Sequence, residues 1–344
     1  MPEVKLGLVL PYEGSLDFPE AVALTQRAEA MGYDSVWAPE AYGTDAISIL
    51  GALAARTDRI RLGTGIVNVF SRTPALLAQT AATLDMISNG RFILGLGTSG
   101  HQVISGWHGV PFDQPVVRVR EAVAIIRQVL RRERVEFHGE VFNLDMGLKI
   151  LAHPVRPAVP IFLATLTPAG LRLTGEVADG WIPTLFSAEH FDVFRPHLEA
   201  GARAAGRTIE SLEIAPHVPV MIDDDRSRAR DALKPWAALY IGGMGSRQKN
   251  FYNELVARYG FEAEARAIQD LYLTGKKLEA IRSVPDALID AISVAGPAGY
   301  VEERLHAWES AGVTLLLASI EAKTQADRLR TIEMLATVAN AVKN

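Results

Sequence analysis

The feature that most constrains this chain is an alternation of short β-rich runs with longer stretches of helical periodicity, sustained from end to end. Val4–Leu10 is apolar and stops at Pro11, and Phe18–Met31 has helical spacing that ends at Gly32. Asp34–Ala38 reads as a second strand, after which Thr44 can cap a helix reaching Arg56. Ile60–Val67 is a third strand, and Pro74 suits the first turn of a helix running to Ile87. Phe92–Leu96 is the fourth strand and leads into glycines. After a loop over Gln102–Gln114, a helix is predicted over Val117–Arg132 and a polar insertion, a small hairpin, over 135–150. Pro160–Ala164 and Asp179–Ile182 are strands five and six, with helices over Pro168–Glu176 and 188–205. Glu213–Ile222 is strand seven, followed by helices through 227–292. A helix over Tyr300–Ala311, strand eight at Thr314–Ser319 and a last helix over Gln325–Val342 complete the pattern. Strands alternating with helices of this length make a parallel sheet. Eight such units in 344 residues predict an α/β fold, a (β/α)8 TIM barrel forming one domain over 1–344. Its insertions fall after strand four (135–150) and strand seven (240–292).

Composition removes several classes of function. Net charge is −5, which argues against a nucleic-acid partner and supplies no polybasic membrane patch. The absence of cysteine excludes disulfides, thiolate metal sites and cysteine nucleophiles. The start, Met1-Pro2-Glu3-Val4-Lys5, lacks the pattern of a signal peptide, and no window approaches eighteen uninterrupted apolar residues. A cytoplasmic protein without membrane spans is expected. No cluster of carboxylates or histidines has metal-ligand spacing.

In a (β/α)8 barrel the chemistry sits at the C-terminal ends of the strands. Glu40 follows strand two directly, where a carboxyl can exchange protons with a ligand or cap a backbone amide. Asp45 lies where a helix first turn favours negative charge. Strand three ends in Gly63-Thr64-Gly65-Ile66-Val67-Asn68, and glycines inside a strand mark a bulge, a corner or a close backbone approach. Arg72 lies just beyond it, where it can meet an anionic ligand or pair with a nearby acid. Strand four ends in Gly95-Leu96-Gly97-Thr98-Ser99-Gly100-His101. This matches G-x-G-x-x-G formally, but an irregular loop follows instead of a helix, and the acid at the dinucleotide-motif offset, Glu121, falls inside a helix. His101 and His108 sit in that loop. After strand five, Ala164-Thr165-Leu166-Thr167 leads to Pro168, with Thr167 as helix N-cap and free amides able to meet a phosphate.

Taken in order, several segments resemble the luciferase-like monooxygenase superfamily. They are Ala38–Ala46 (APEAYGTDA), Arg61–Pro74 (RLGTGIVNVFSRTP), Gly90–Gly100 (GRFILGLGTSG), Leu173–Pro183 (LTGEVADGWIP), Trp236–Gly245 and Trp308–Leu317. The resemblance is strongest to its branch of F420-dependent oxidoreductases, which includes methylenetetrahydromethanopterin reductase-like proteins. It implies a deazaflavin, coenzyme F420, over a bulge at Gly65–Ile66, where the family often has a cis peptide bond. Asn68, Gly97, Thr98 and Ser99 then fall beside the cofactor, Arg72 near its anionic tail, and Ala164, Thr165, Leu166 and Thr167 in the phosphate loop. Thr167 replaces the glycine of the family's usual glycine-proline pair, and Glu40 stands where several relatives carry histidine. The implied activity is hydride transfer between F420 and a small organic substrate, with Glu40, and after it His101, handling the proton. A homodimer is implied as well. The alternatives are an FMN-dependent monooxygenase of the same superfamily and a non-catalytic flavin-binding protein.

Overall fold

The computed structural model describes residues 4–12 and 17–342. It is an α/β structure that divides into two compact units. Of the described residues, the first holds those within Gly7–Ile182 and His197–Glu213; the second holds 4–6, Pro183–Pro196 and 214–342.

In the first unit the strands are parallel. Gly7–Val9 pairs with Ser35–Trp37, Ser35–Ala38 with Arg61–Thr64, and Leu62–Gly63 with Phe92–Ile93. The strand Phe92–Gly97 then pairs with Ile161–Ala164, and Phe162–Leu163 with Gly180–Trp181. Buried on both faces, these strands are near-continuous apolar runs, as a parallel sheet covered by helices requires. Trp37 and Phe162 fill the interior, their ring centroids 5.6 Å apart. The glycines of neighbouring strands admit those rings. A Cβ at Gly63 would lie 2.4 Å from the Trp37 ring, and one at Gly180 2.5 Å from the Phe162 ring. One at Gly95 would lie 1.9 Å from the Thr64 carbonyl oxygen.

The third strand is not continuous. It runs Arg61–Thr64, breaks at Gly65–Ile66, where the peptide bond is cis, and resumes as Val67–Asn68. At the break the Thr64 hydroxyl both accepts from the Gly95 amide and donates to its carbonyl, 2.8 Å each, so a side chain replaces the missing ladder bonds.

Helix starts follow their caps. Thr73 accepts from the Leu76 amide ahead of Pro74–Ile87, and Thr167 from Gly170 ahead of Pro168–Val177. The second helix is capped by Asp45, not Thr44: the Asp45 carboxylate accepts from Ile47 and Ser48, and the helix runs Ala46–Ala54. The 135–148 segment is an antiparallel hairpin. Its turn is tied down by Glu121 on the helix Pro115–Leu130, whose carboxylate accepts from the amides of Glu140, Val141 and Phe142. The acid that a dinucleotide site would use therefore serves the hairpin. The segment expected to be an irregular loop contains a wide helical turn over Gln102–Trp107, with His108 donating to Val103 O at 3.0 Å.

In the second unit His217–Ile222 pairs in parallel with Leu315–Ile320 and with a further strand, Val294–Gly296, that the sequence pattern does not reveal. Strand seven is interrupted by Pro216 into Glu213–Ile214 and His217–Ile222, of which His217–Ile222 lies wholly in this unit. The helix expected over 188–205 is a tight turn, Ala188–Val193, in this unit, followed by Arg195–Ala204, which belongs to the first unit from His197 on; Pro196 begins a helix rather than continuing one. Phe186, Phe194 and Trp308 form the aromatic core. Among the described residues no helix is long and apolar enough to cross a membrane, and no group of three or more His, Asp or Glu could hold a metal.

Two predictions follow from this packing. Gly95→Ala should cost about 1–3 kcal/mol or more in urea unfolding, since a Cβ meets backbone there. Gly51→Ala should stabilise by up to about 1 kcal/mol, because Gly51 lies inside the helix Ala46–Ala54 with only an ordinary 3.8 Å contact awaiting a Cβ. His217 provides a pH signature. Its Nε2 is buried without a partner among the described residues, and burial lowers its pKa from 6.5 to about 4. The folded state disfavours the imidazolium, so this contribution is complete above pH 6.5 and is lost as pH falls toward 4. Thermal melts of His217→Gln across that window should show a shallower loss of stability than those of the parent protein.

Candidate active site

The ends of the parallel strands of the first unit are brought level by register. Val67–Asn68 pairs with Leu96–Gly97, and Gly97 with Ala164, so Asn68, Gly97 and Ala164 form one row across three neighbouring strands. All three were singled out from sequence. Gly97 leaves room for Ile66: a Cβ there would sit 2.9 Å from the Ile66 Cδ1. Gly65 donates its amide to Ala38 O at 2.8 Å, and its own missing Cβ would point at Trp37 at an ordinary 3.4 Å. Glycine at 65 is thus not demanded by neighbouring side chains. Ser99 has φ +55°, which turns the chain away after the row. Asn68 is buried and its Oδ1 accepts from the Phe70 and Ser71 amides, so its carboxamide oxygen shapes the turn that ends the strand. Thr98 is half-buried, its hydroxyl on the Ser99 carbonyl.

Beyond Ala164 the chain enters the helix Pro168–Val177. Thr165 shares a 2.7 Å hydrogen bond with Thr174, and its carbonyl accepts from the Trp181 indole. The amides of Leu166, Thr167 and Ala169 have no acceptor among the described residues, and all three positions are partly or fully exposed. Unpaired amides at a helix start, with the dipole behind them, are able to receive an anion. Thr167 sits comfortably in extended backbone at φ −81°, so the glycine it replaces is not needed there. The close approach has moved to Gly170, where a Cβ would meet Thr165 at 3.0 Å and Thr167 Oγ1 at 3.1 Å.

Glu40 and Arg72, read from sequence in separate roles, form one unit. Arg72 Nη1 and Nη2 donate to Glu40 Oε1 and Oε2 at 2.5 and 2.9 Å, and Nη2 also donates to Asp45 at 3.0 Å. Glu40 Oε2 accepts from the Ala46 amide as well, at 3.1 Å, so the capping alternative for this carboxylate is realised. The Arg72 and Glu40 side chains are 18% and 10% exposed, against 44% for Asp45. Hydrogen bonds to Glu40 hold the Arg72 pKa above the ordinary arginine value against the opposing effect of burial. Burial works to raise Asp45, but hydrogen bonds from Ser48 and Ile47 and the charge of Arg72 bring it below the usual carboxylate value. His101 is exposed at the start of the Gln102–Trp107 turn, its ring edge-on to Phe112. His108 is half-buried, and its Nε2 lacks a partner among the described residues.

Sequence reasoning missed the Arg72–Glu40 pairing because the two residues are 32 positions apart, and only the parallel register of strands two and three brings them together. It also missed the aromatic residues beside them. Tyr12 and Tyr42 meet edge to face, and Phe70 stacks on Phe112.

The pattern of the luciferase-like monooxygenase family matches residues 4–315, and the chain belongs to that family. A Mycobacterium tuberculosis protein provisionally named a coenzyme F420-dependent oxidoreductase is 37% identical over 329 residues, covering 92% of this chain and 95% of that protein. The 5,10-methylenetetrahydromethanopterin reductase of Archaeoglobus fulgidus is 29% identical over 92% of this chain and 93% of its own length. In three dimensions the coenzyme F420 dependent tetrahydromethanopterin reductase of Methanopyrus kandleri superposes with a TM-score of 0.84 at 26% identity, over 97% of both chains. The fold is accordingly the barrel of the luciferase-like family.

The Arg72–Glu40 pair should be coupled energetically. A double-mutant cycle of Glu40→Gln and Arg72→Met, followed by urea unfolding, should give about 1–3 kcal/mol of interaction. The exposed helical pair Arg266–Glu262, treated in the same way, should give no more than about 0.5 kcal/mol.

Proposed function

We propose that this protein is a coenzyme F420-dependent oxidoreductase, moving a hydride between the deazaflavin and a small organic substrate. The observation that carries this reading is the level row Asn68–Gly97–Ala164, with the Gly65–Ile66 break on one side of it and the open amides of Leu166, Thr167 and Ala169 on the other. A flat ring with a phosphate arm needs such a surface and such donors. The family relationship and the F420-dependent relatives support the same reading. When bound, the deazaflavin supplies a two-electron carrier, so the protein need only orient it, hold its phosphate and manage a proton.

In this reading Gly65, Ile66, Asn68 and Gly97–Ser99 flank the ring, and Ala164–Thr167 together with the Ala169 amide hold the phosphate. Glu40 handles the proton in an orientation held by Arg72, and His101 is the second candidate. Arg72 is assigned to Glu40 rather than to an anionic tail, because its guanidinium already meets two carboxylates. The proposal also keeps a single functional domain with insertions at 135–150 and 240–292, a homodimer, and a cytoplasmic location.

The test is a side-by-side fluorescence titration with F420 and FMN. F420 should bind at least about tenfold more tightly, a difference of about 1.4 kcal/mol. Saturable FMN binding with no F420 affinity would overturn the assignment in favour of the FMN-dependent monooxygenase.

A further inference from the structure

The loops that follow the first four strands carry an arc of side chains in which Tyr12, Tyr42, Phe70 and Phe112, beside the assigned Glu40, Arg72 and His101, have no role in the cofactor assignment. Tyr12 and Tyr42 meet edge to face, with centroids 6.2 Å apart, and the Tyr12 hydroxyl accepts from the Tyr42 amide at 2.6 Å. Gly43 closes on the same ring: a Cβ there would lie 3.0 Å from it. Tyr12 is therefore fixed, while Tyr42 is 57% exposed and presents aromatic surface to solvent. Two residues before Tyr42 comes Glu40, paired with Arg72, and two residues before Arg72 comes Phe70. Phe70 stacks on Phe112 at 5.1 Å, and the Arg118 guanidinium covers Phe70 at 4.7 Å from its centroid. The edge of His101 meets Phe112 at 6.2 Å.

The ionic groups in this arc satisfy one another. Arg72 is bound to Glu40 and Asp45, and Arg118 to Asp113 at 2.8 Å. Among the described residues of the arc, two guanidiniums face three carboxylates, which leaves one negative charge and neither guanidinium without an acid. A phosphate or carboxylate arriving here would meet repulsion and would have to break an existing pair. A neutral ring would meet aromatic faces and edges at no such cost.

We infer that this arc is the substrate subsite of the enzyme and that it takes an uncharged molecule with an aromatic body, not an anionic one. The inference rests on the oxidoreductase reading for the word substrate. The binding preference stands apart from it.

Acetophenone and benzoate share a ring and differ in charge, and so serve as probes. Their binding is followed by saturation-transfer NMR, with and without F420, in the full-length protein. Acetophenone should bind saturably and benzoate at least about tenfold more weakly. Tyr42→Ala and Phe112→Ala should each weaken acetophenone about fivefold to tenfold, the scale of one aromatic contact. Tyr42 is exposed enough that its variant should melt with the parent protein, and F420 affinity should stay within about twofold in both variants. Benzoate binding as tightly as acetophenone would overturn the inference, as would acetophenone binding that neither variant changes, or none that saturates. Failure of F420 to bind the parent protein would count against the coenzyme reading alone, because the ring probes are also read in its absence.

Discussion

Close approach between parallel strands is the constraint on which the rest of this structure depends. A strand end can serve a ligand only if its neighbours end at the same level, and that requires backbones to pack at ladder distance around bulky interior rings. Trp37 and Phe162 occupy the space that side chains at positions 63 and 180 would need, and the Thr64 carbonyl occupies the space that a side chain at 95 would need. Local strand propensity is weakened at each glycine, but the interior gains large aromatic groups and the register survives. The row of Asn68, Gly97 and Ala164, the paired Glu40 and Arg72, and the open amides at the start of the Pro168 helix all follow from that register.

Much of the fold could be read from the chain because its strongest signals are local. Pro74 with Thr73, Pro168 with Thr167, and the apolar runs bounded by glycine or proline act within a few residues, and the helix Pro74–Ile87 begins and ends where its pattern does. Legibility fails where a tertiary contact overrides a local preference. Thr44 is as good a cap as Asp45 by composition, but only Asp45 reaches the Ile47 and Ser48 amides. The strand Val294–Gly296 has three residues, too few to show a period, and is defined by its partner His217–Ile222. The Gln102–Trp107 turn has no amphipathic pattern of the usual spacing, since its bonds span five residues.

The site was legible to a different degree. Strand-end position picked out Glu40, Thr167 and the segments Gly63–Asn68 and Gly95–His101, and the family resemblance pointed within them to Gly65, Asn68 and Gly97. It could not say what each side chain does, because a side chain's role depends on what comes to meet it from another strand. Asn68 shows this best: its oxygen turns the backbone at Phe70 and Ser71, a structural duty indistinguishable in sequence from ligand binding. Arg72 shows the converse. A lone arginine beyond a strand can anchor an anion or pair with a neighbouring acid, and the two carboxylates found on it decide for the second.

The hairpin 135–148 invites a different kind of conclusion. Its turn is held to the Pro115–Leu130 helix by one carboxylate, Glu121, which satisfies three consecutive amides, while Gly139 leaves that carboxylate its space. An insertion attached through backbone amides places little demand on its own side chains, since any residue but proline offers the same N–H. The attachment of that turn therefore depends on the acid and on Gly139, whereas Val135 is buried and Gly147, at φ +59°, is held by its backbone. Its outward residues, among them the exposed Met146 and Leu148, can vary without disturbing that attachment.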